Sequence, residues 1–267
     1  MNPKANGPSH LPPRLLERLR DVRSVGAITG AGVSRGSGLP TYRGKGGIYD
    51  DPEEGDRTVE ALSGPTLLVD PDRTWRAVAK LARQAQDARP SAAHRALAGI
   101  ERAVERFVLL TQNVDGLHQA AGSRHVIDIH GDVLATRCLS CAAQGRLERD
   151  ALRALEGAPR CEACGGVLRP GAVLFGEMLP ADKVERMIEE FHRNVPDMVL
   201  IVGTSAMFPY ITEPVFAAVR RGKLTVEVNP EETPTSSLVE FSLRGEADAV
   251  LPLIEQALAG ASIERLP

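Results

Sequence analysis

Five short apolar runs in this chain each stop at a polar or glycine-bearing turn. They are Ser24–Thr29 before GAGVS, Phe107–Thr111 before QNVDG, Val126–Ile129 before His130-Gly131, DMVLIV (197–202) before Gly203-Thr204-Ser205, and LTVEV (224–228) before Asn229-Pro230. Runs this short and this apolar read as strands buried on both faces, the habit of parallel sheets. Between them, apolar residues recur at helical spacing. Residues 13–23 carry Leu15, Leu16, Leu19 and Val22, and further helices are expected over 74–86, 91–104 (after the breaker Pro90), 211–221 and near 250–259. Strands alternating with helices predict an α/β fold with a doubly wound parallel sheet. Such a sheet binds ligands beyond the carboxyl ends of its strands, so the five turns should gather along one edge.

The stretch 44–71 is rich in glycine, proline and acids and lacks clear periodicity, so it reads as irregular or partly helical. The first 12 residues are polar and proline-rich, without the apolar segment of a secretory signal, and read as a loose tail. No apolar run approaches the roughly 20 residues of a spanning helix, which sets membrane insertion aside and leaves the cytoplasm as the default. A net charge of −3 and the lack of an interleaved aromatic-basic patch count against nucleic acid.

All four cysteines, Cys138, Cys141, Cys161 and Cys164, fall in one segment with the spacing C-x2-C-x19-C-x2-C. Each CxxC offers two thiolates, and two pairs complete a tetrahedron around one zinc ion. Four sulfurs leave no position for water or substrate, so such a metal is structural. The competing reading is a pair of redox dithiols. The segment 135–169 interrupts the strand–helix alternation and reads as an inserted module.

Gly30 and Gly32 allow a tight turn and close backbone approach to a pyrophosphate. GAG alone reads equally as a strand-to-helix turn without a ligand. Arg35 stands where a dehydrogenase fingerprint places its third glycine, and the acids about 20 residues on (Asp50, Asp51, Glu53) lie in a proline-rich stretch rather than at a strand end. Hydride transfer is therefore disfavoured. His130 closes a strand next to the strand that ends in Gln112, Asn113 and Asp115; a near-neutral histidine beside such groups suits general-base work, against the plainer reading of a backbone-bonding histidine. Asn113, Asp115 and Gly203-Thr204-Ser205 read also as helix caps, and Asn229-Pro230 as a turn. Trp75, Val78 and Leu81 read as the apolar face of a helix, and His94, His118 and His125 as packing or surface residues.

Taken together, GAGVSRGSGLPTYRG, TQNVDGLHQAAG, IHG, CLSC…CEAC, RPGAVLFGE, VGTS and VNP resemble, in order and from about 13 to 259, a sirtuin, an NAD-dependent protein deacylase. The resemblance implies a Rossmann-like NAD-binding domain (13–44, 91–134 and 170–267), a cofactor loop with the helical part of a small domain (45–90), and a zinc ribbon (135–169). It implies that Gly30, Ala31, Gly32 and Ser34 line the phosphate side of NAD, and that Tyr42 and Arg43 belong to the cofactor loop. Gln112 and Asn113 would face the ribose and Asp115 the nicotinamide carboxamide. Gly203, Thr204, Ser205 and Asn229 would hold the adenosine half, with Ala247 near the adenine. His130 would be the general base, with Asn113 and Asp115 completing the catalytic group. Val173, Phe175, Gly176 and Glu177 lie where the family pairs the substrate backbone as an added strand, with Phe208 also on the peptide side.

The implied reaction consumes NAD as a co-substrate. The acyl-lysine carbonyl oxygen attacks the ribose carbon bearing nicotinamide, nicotinamide leaves, and His130 draws a proton from a ribose hydroxyl that then attacks the imidate carbon. Water completes the release of lysine and O-acyl-ADP-ribose. No hydride apparatus is needed, which accounts for Arg35.

The chain departs from the family's pattern in four places. Tyr42 replaces the usual phenylalanine, and the stretch 45–74 is longer than usual. Pro209 comes one residue early, leaving Tyr210 in the proline's usual place and bearing on the peptide-side contacts of Met207, Phe208 and Tyr210. The Tyr-x-x-Arg pair of desuccinylase-type members is replaced by Val78 and Leu81, which favours a neutral acyl group. Competing readings are protein mono-ADP-ribosyl transfer on the same fold and a zinc-ribbon binding module without turnover.

Overall fold

The computed structural model describes residues 7–42, 47, 50–84 and 88–264. Along this chain the elements run α1 (Pro13–Leu19), β1 (Ser24–Thr29), a 3-10 helix (Ala31–Ser37), α2 (Pro52–Ala61), α3 (Gly64–Val69), α4 (Pro71–Gln84), α5 (Ala92–Ala103), β2 (Arg106–Thr111), α6 (Leu117–Ala120), β3 (Val126–Asp128), β4 (Gly131–Cys138), β5 (Gln144–Arg146), α7 (Arg149–Ala154), β6 (Leu168–Ala172), α8 (Ala181–Ile188), β7 (Met198–Val202), α9 (Pro209–Arg220), β8 (Leu224–Val228), β9 (Phe241–Leu243) and α10 (Ala247–Glu264).

All five apolar runs become strands of one six-stranded sheet in the order β3-β2-β1-β7-β8-β9. Every neighbouring pair in it is parallel. The chain steps outward from β1 to β3, then returns to lay β7 beside β1 and steps outward the other way. The strand order therefore reverses between β1 and β7, the place where doubly wound sheets open a ligand crevice.

Both faces of the sheet are buried, as the uninterrupted apolar runs require. Val25, Ala27, Leu109, Leu200 and Val226 face one core with Leu15, Leu97, Ile100, Leu251 and Ile254 from α1, α5 and α10. Ile28, Val108, Leu110, Val199 and Ile201 face the other with Met187, Phe191, Ile211 and Val215. Period-2 alternation along each strand divides its side chains between the two layers. Strand β9 has only three residues, too short to register as an apolar run.

A second, antiparallel sheet in the order β5-β4-β6 carries the cysteines. Its own apolar core is small. Leu134 and Leu152 join Leu62, Trp75 and Val78 from the segment before α5, so the helices over 52–84 and the cysteine module share one core. The Trp75 indole N–H donates to the Leu168 carbonyl at 2.7 Å and ties α4 to β6.

The stretch read as irregular or partly helical holds two short helices. Asp51 caps α2 through its carboxylate, accepting from the backbone N–H groups of Glu53 at 3.0 Å and Glu54 at 3.3 Å. Ser63 caps α3 in the same way, and both helices have proline in the first turn. Among the described residues no helix is long and apolar enough to cross a membrane.

Candidate active site

The carboxyl ends of β1, β2, β7 and β8 meet around the β1–β7 switch. The turn after β1 and the turn after β7 touch backbone to backbone. The N–H of Gly30 donates to the Val202 carbonyl at 3.1 Å and that of Gly32 to the Gly203 carbonyl at 2.8 Å. A Cβ on Gly32 would lie 2.6 Å from the Gly203 Cα, and one on Gly203, whose φ is +56°, would lie 2.8 Å from Gly32. These glycines are thus required by the approach of two strand ends, before any ligand is considered. Gly32→Ala should therefore cost about 1–3 kcal/mol, because the obstructing atoms are backbone and cannot rotate away. Urea titration checks this; an unchanged midpoint would show that the two turns can part without loss.

Side chains tie the strand ends together through a network of two hydrogen-bonded groups, which meet at the adjacent residues Gln112 and Asn113. Ser34 donates to Asp115 at 2.7 Å and accepts from the Asn113 amide at 3.1 Å. The same amide donates to the Gly30 carbonyl at 3.2 Å. Gln112 donates to the Thr204 hydroxyl at 2.7 Å, and Asn229 donates to the Thr204 carbonyl at 2.9 Å. Asp115 also accepts from the Leu117 N–H at 2.9 Å, so its capping and network roles coexist. Ala31 and Gly32 are half-buried, and Ser205 is exposed at the edge of the cluster. Ala247 is buried at the start of α10, between Glu246, which pairs with Arg35 at 3.4 Å, and Asp248, which packs against Gly36.

His130 lies half-buried between β3 and β4. Its Nδ1 is 2.9 Å from the Gln112 carbonyl, which can only accept, so Nδ1 carries the proton and Nε2 keeps its lone pair. That lone pair meets the Tyr210 hydroxyl at 2.7 Å. Burial lowers the His130 pKa below its ordinary value, partly opposed by the bond to Gln112. Burial thus favours the neutral imidazole, the form able to accept a proton.

The residues expected on the peptide side, Phe208 apart, lie in the segment directly after β6. The Val173 N–H donates to the His130 carbonyl at 2.7 Å, so this segment runs directly past the histidine. The Phe175 N–H and carbonyl pair with Leu62 and Gly64 at 2.9 and 3.0 Å. Gly176 takes φ +83°. Glu177 grips Arg169 with both oxygens, at 2.8 and 2.7 Å, and accepts from the Leu174 N–H at 2.9 Å. Its carboxylate therefore holds the turn in shape. Phe208 is exposed and stacks on Tyr210, with ring centroids 5.5 Å apart. Tyr42 is also exposed, and Arg43 lies outside the described residues.

Three residues beside the site were read from the sequence without a role in it. His94 and His118 are fully buried beneath the network, with ring centroids 4.7 Å apart. His118 contacts the Thr29 hydroxyl at 3.0 Å and His94 contacts Ser34 at 3.5 Å. Desolvation lowers both pKa values, so both rings are neutral packing that carries the site from below. The available signal for His94 was the S-x-x-H box, in which Ser91 caps α5 and the His94 ring accepts from the Ser91 N–H. Tyr210 had only its misplaced proline neighbour as a signal; Pro209 opens α9 and sets the Tyr210 ring one residue inside it.

The four cysteine sulfurs lie within 4.8 Å of one another. Cys138 and Cys164 are 3.5 Å apart, and Cys141 and Cys161 3.7 Å. A zinc tetrahedron with Zn–S bonds of about 2.3 Å has edges of about 3.8 Å, so the sulfurs fit one ion. Backbone N–H groups of Cys141 and Ser140, the latter at 3.3 Å, lower the Cys138 thiol's pKa toward the thiolate a metal needs, while without an ion the neighbouring sulfurs push that of Cys164 up.

A model of the Sir2 family matches residues 30–209. NAD-dependent protein deacylase 2 of Pseudomonas aeruginosa is 43% identical over 92% of this chain and 97% of its own length. NAD-dependent protein deacylase 1 of Archaeoglobus fulgidus is 39% identical over 89% of this chain and 94% of its own. Among solved structures, a Sir2 homolog–NAD complex superposes with a TM-score of 0.83 at 36% identity, covering 96% of this chain and 97% of that one. A Sir2–p53 peptide–NAD+ complex gives 0.77 at 28% identity, covering 91% and 97%. The matched span runs from the glycine turn after β1 to the start of α9 and takes in the histidine, the cysteines and every network residue but Asn229: the chain belongs to the Sir2 family.

Proposed function

We propose that this protein is an NAD-dependent protein-lysine deacylase that transfers a neutral acyl group from lysine to ADP-ribose. The observation that carries the reading is the pair of hydrogen-bonded groups at the sheet's switch point, Gly30, Ser34, Asn113 and Asp115 in one and Gln112, Thr204 and Asn229 in the other, which meet at the adjacent residues Gln112 and Asn113 beside His130. NAD supplies a ribose carbon whose nicotinamide can leave. Gly30, Ala31, Gly32 and Ser34 take its phosphates, with Tyr42 and Arg43 closing from the cofactor loop. Gln112 and Asn113 orient the ribose and Asp115 the carboxamide. Gly203, Thr204, Ser205, Asn229 and Ala247 take the adenosine half. His130 accepts a ribose proton at Nε2. The acyl-lysine segment lies along Val173–Glu177, beneath Phe208. Holding both substrates in a cleft supplies orientation and keeps water from the reacting carbon.

The neutral acyl group follows from Val78 and Leu81. Val78 is buried against Trp75 and Leu81 packs beside them, so α4 offers an apolar wall there and no cation for an acidic acyl chain. Zinc, on four sulfurs, serves the fold rather than the reaction.

Incubation with NAD and matched acetyl-, fatty-acyl- and succinyl-lysine peptides tests this directly. Nicotinamide release should equal loss of the acyl group from the neutral peptides. Preferential desuccinylation would overturn the acyl assignment. ADP-ribose on protein with intact acyl-lysine would replace deacylation by transfer, and no nicotinamide release with any peptide would rule out turnover.

A further inference from the structure

The lone pair of His130 that must receive the ribose proton already has a partner. The Tyr210 hydroxyl lies 2.7 Å from Nε2, while Nδ1 is committed to the Gln112 carbonyl. Tyr210 can only be donating here, because Nε2 carries no proton. Its oxygen keeps two acceptor positions.

A ribose hydroxyl can reach His130 in two ways. It can push Tyr210 aside, or it can donate to the Tyr210 oxygen. Tyr210 is held on several sides, which opposes displacement. It sits in the first turn of α9, behind Pro209. Its ring stacks on Phe208 at 16° and meets the His130 ring edge-on, with centroids 5.9 Å apart. It also packs against the buried core that contains Ile211 and Val215.

We propose that Tyr210 is a catalytic residue that relays the ribose proton to His130. This rests on the reading of His130 as the base. As the ribose O–H bond breaks, its proton bonds to the Tyr210 oxygen, and the tyrosine's own proton passes to His130 Nε2. The freed ribose oxygen forms its bond to the imidate carbon as the π pair of that carbon's C=N bond moves onto the lysine nitrogen. Tyrosine ends neutral, histidine ends as imidazolium, and no further reactant is consumed. Burial pushes the Tyr210 pKa up to about 12, so a free tyrosinate is excluded near neutrality and the two protons move together.

The test compares the wild type, Tyr210→Phe and His130→Ala with NAD and an acetyl-lysine peptide. Tyr210→Phe keeps the ring and its stacking and removes only the hydroxyl. Exchange of labelled nicotinamide into NAD reports the step before any base acts, and deacylated product reports the step after. Tyr210→Phe should retain exchange and lose about 100-fold in product formation, within the range of one acid–base group. Rates in H2O–D2O mixtures should bow for the wild type, with two protons in flight, and be linear for the variant. A Tyr210→Phe product rate equal to or above the wild type's overturns the relay, as does a linear wild-type plot. Equal loss of exchange and product also overturns it, since the hydroxyl would then serve substrate binding. His130→Ala separates the two readings: if it keeps turning over, the base assignment falls; if it is inactive while Tyr210→Phe is unimpaired, the relay alone falls.

Discussion

His130→Ala should lower product formation by roughly 10²–10⁴-fold, the span expected for losing a positioned base. It should leave the melting temperature nearly unchanged, because the ring is half-buried and its two hydrogen bonds reach groups beside the crevice. Nicotinamide exchange should survive, since the leaving step needs no proton acceptor. The pH profile gives a second check on the same residue. A base must be unprotonated, so activity falls as pH drops through the His130 pKa. Burial sets that pKa below the ordinary histidine value of about 6.5, so the acid limb should lie below it. The limb should vanish from whatever residual rate His130→Ala retains. Unimpaired product formation in the variant would remove His130 from the reaction.

The sheet was legible because its strands are buried on both faces, and burial leaves an unbroken apolar run that no surface strand shows. Turns that bind ligands stand out for the opposite reason: GAGVS, QNVDG and GTS are polar or glycine-bearing where the chain has just been wholly apolar. Four cysteines at two short spacings constrain their own partners. Other features depend on contacts between distant segments. Nothing local states that a Cβ on Gly32 would lie 2.6 Å from the Gly203 Cα, or that Gly36 leaves room for Asp248. His94 and His118 read as packing and are packing, yet their place beneath Ser34 and Thr29 needs three separate elements to be assembled. Tyr210 meets His130 across 80 residues, through a loop one residue shorter before its proline than the family's pattern. The helices α2 and α3 were hidden by composition, although Asp51-Pro52 and Ser63-Gly64-Pro65 carry the cap and first-turn proline that start them.

Cys161→Ser should lose zinc and the structure of the small module together. The antiparallel sheet has three strands, and its apolar core is a handful of residues shared with α4. Zinc binding in small domains of this kind is worth about 10–16 kcal/mol, which such a core cannot replace. Cys161 is buried, so a hydroxyl there loses a ligand and gains no solvent. The loss should reach the active site by a short path. Strand β4 begins at Gly131, directly after His130, and the N–H of Val173, the residue after β6, bonds the His130 carbonyl. Loosening the β4–β6 pair therefore loosens His130 itself. Metal analysis should find zinc well below one per chain, thermal unfolding should begin earlier, and deacylation should fall with it. Chelation of the wild type should reproduce all three changes. The six-stranded sheet, with its own two cores, should outlast the module, so far-UV circular dichroism should keep most of its helical signal when activity is gone. Full zinc stoichiometry in Cys161→Ser would show that the ion does not need this sulfur, and a chelated protein with undiminished turnover would break the link from module to histidine.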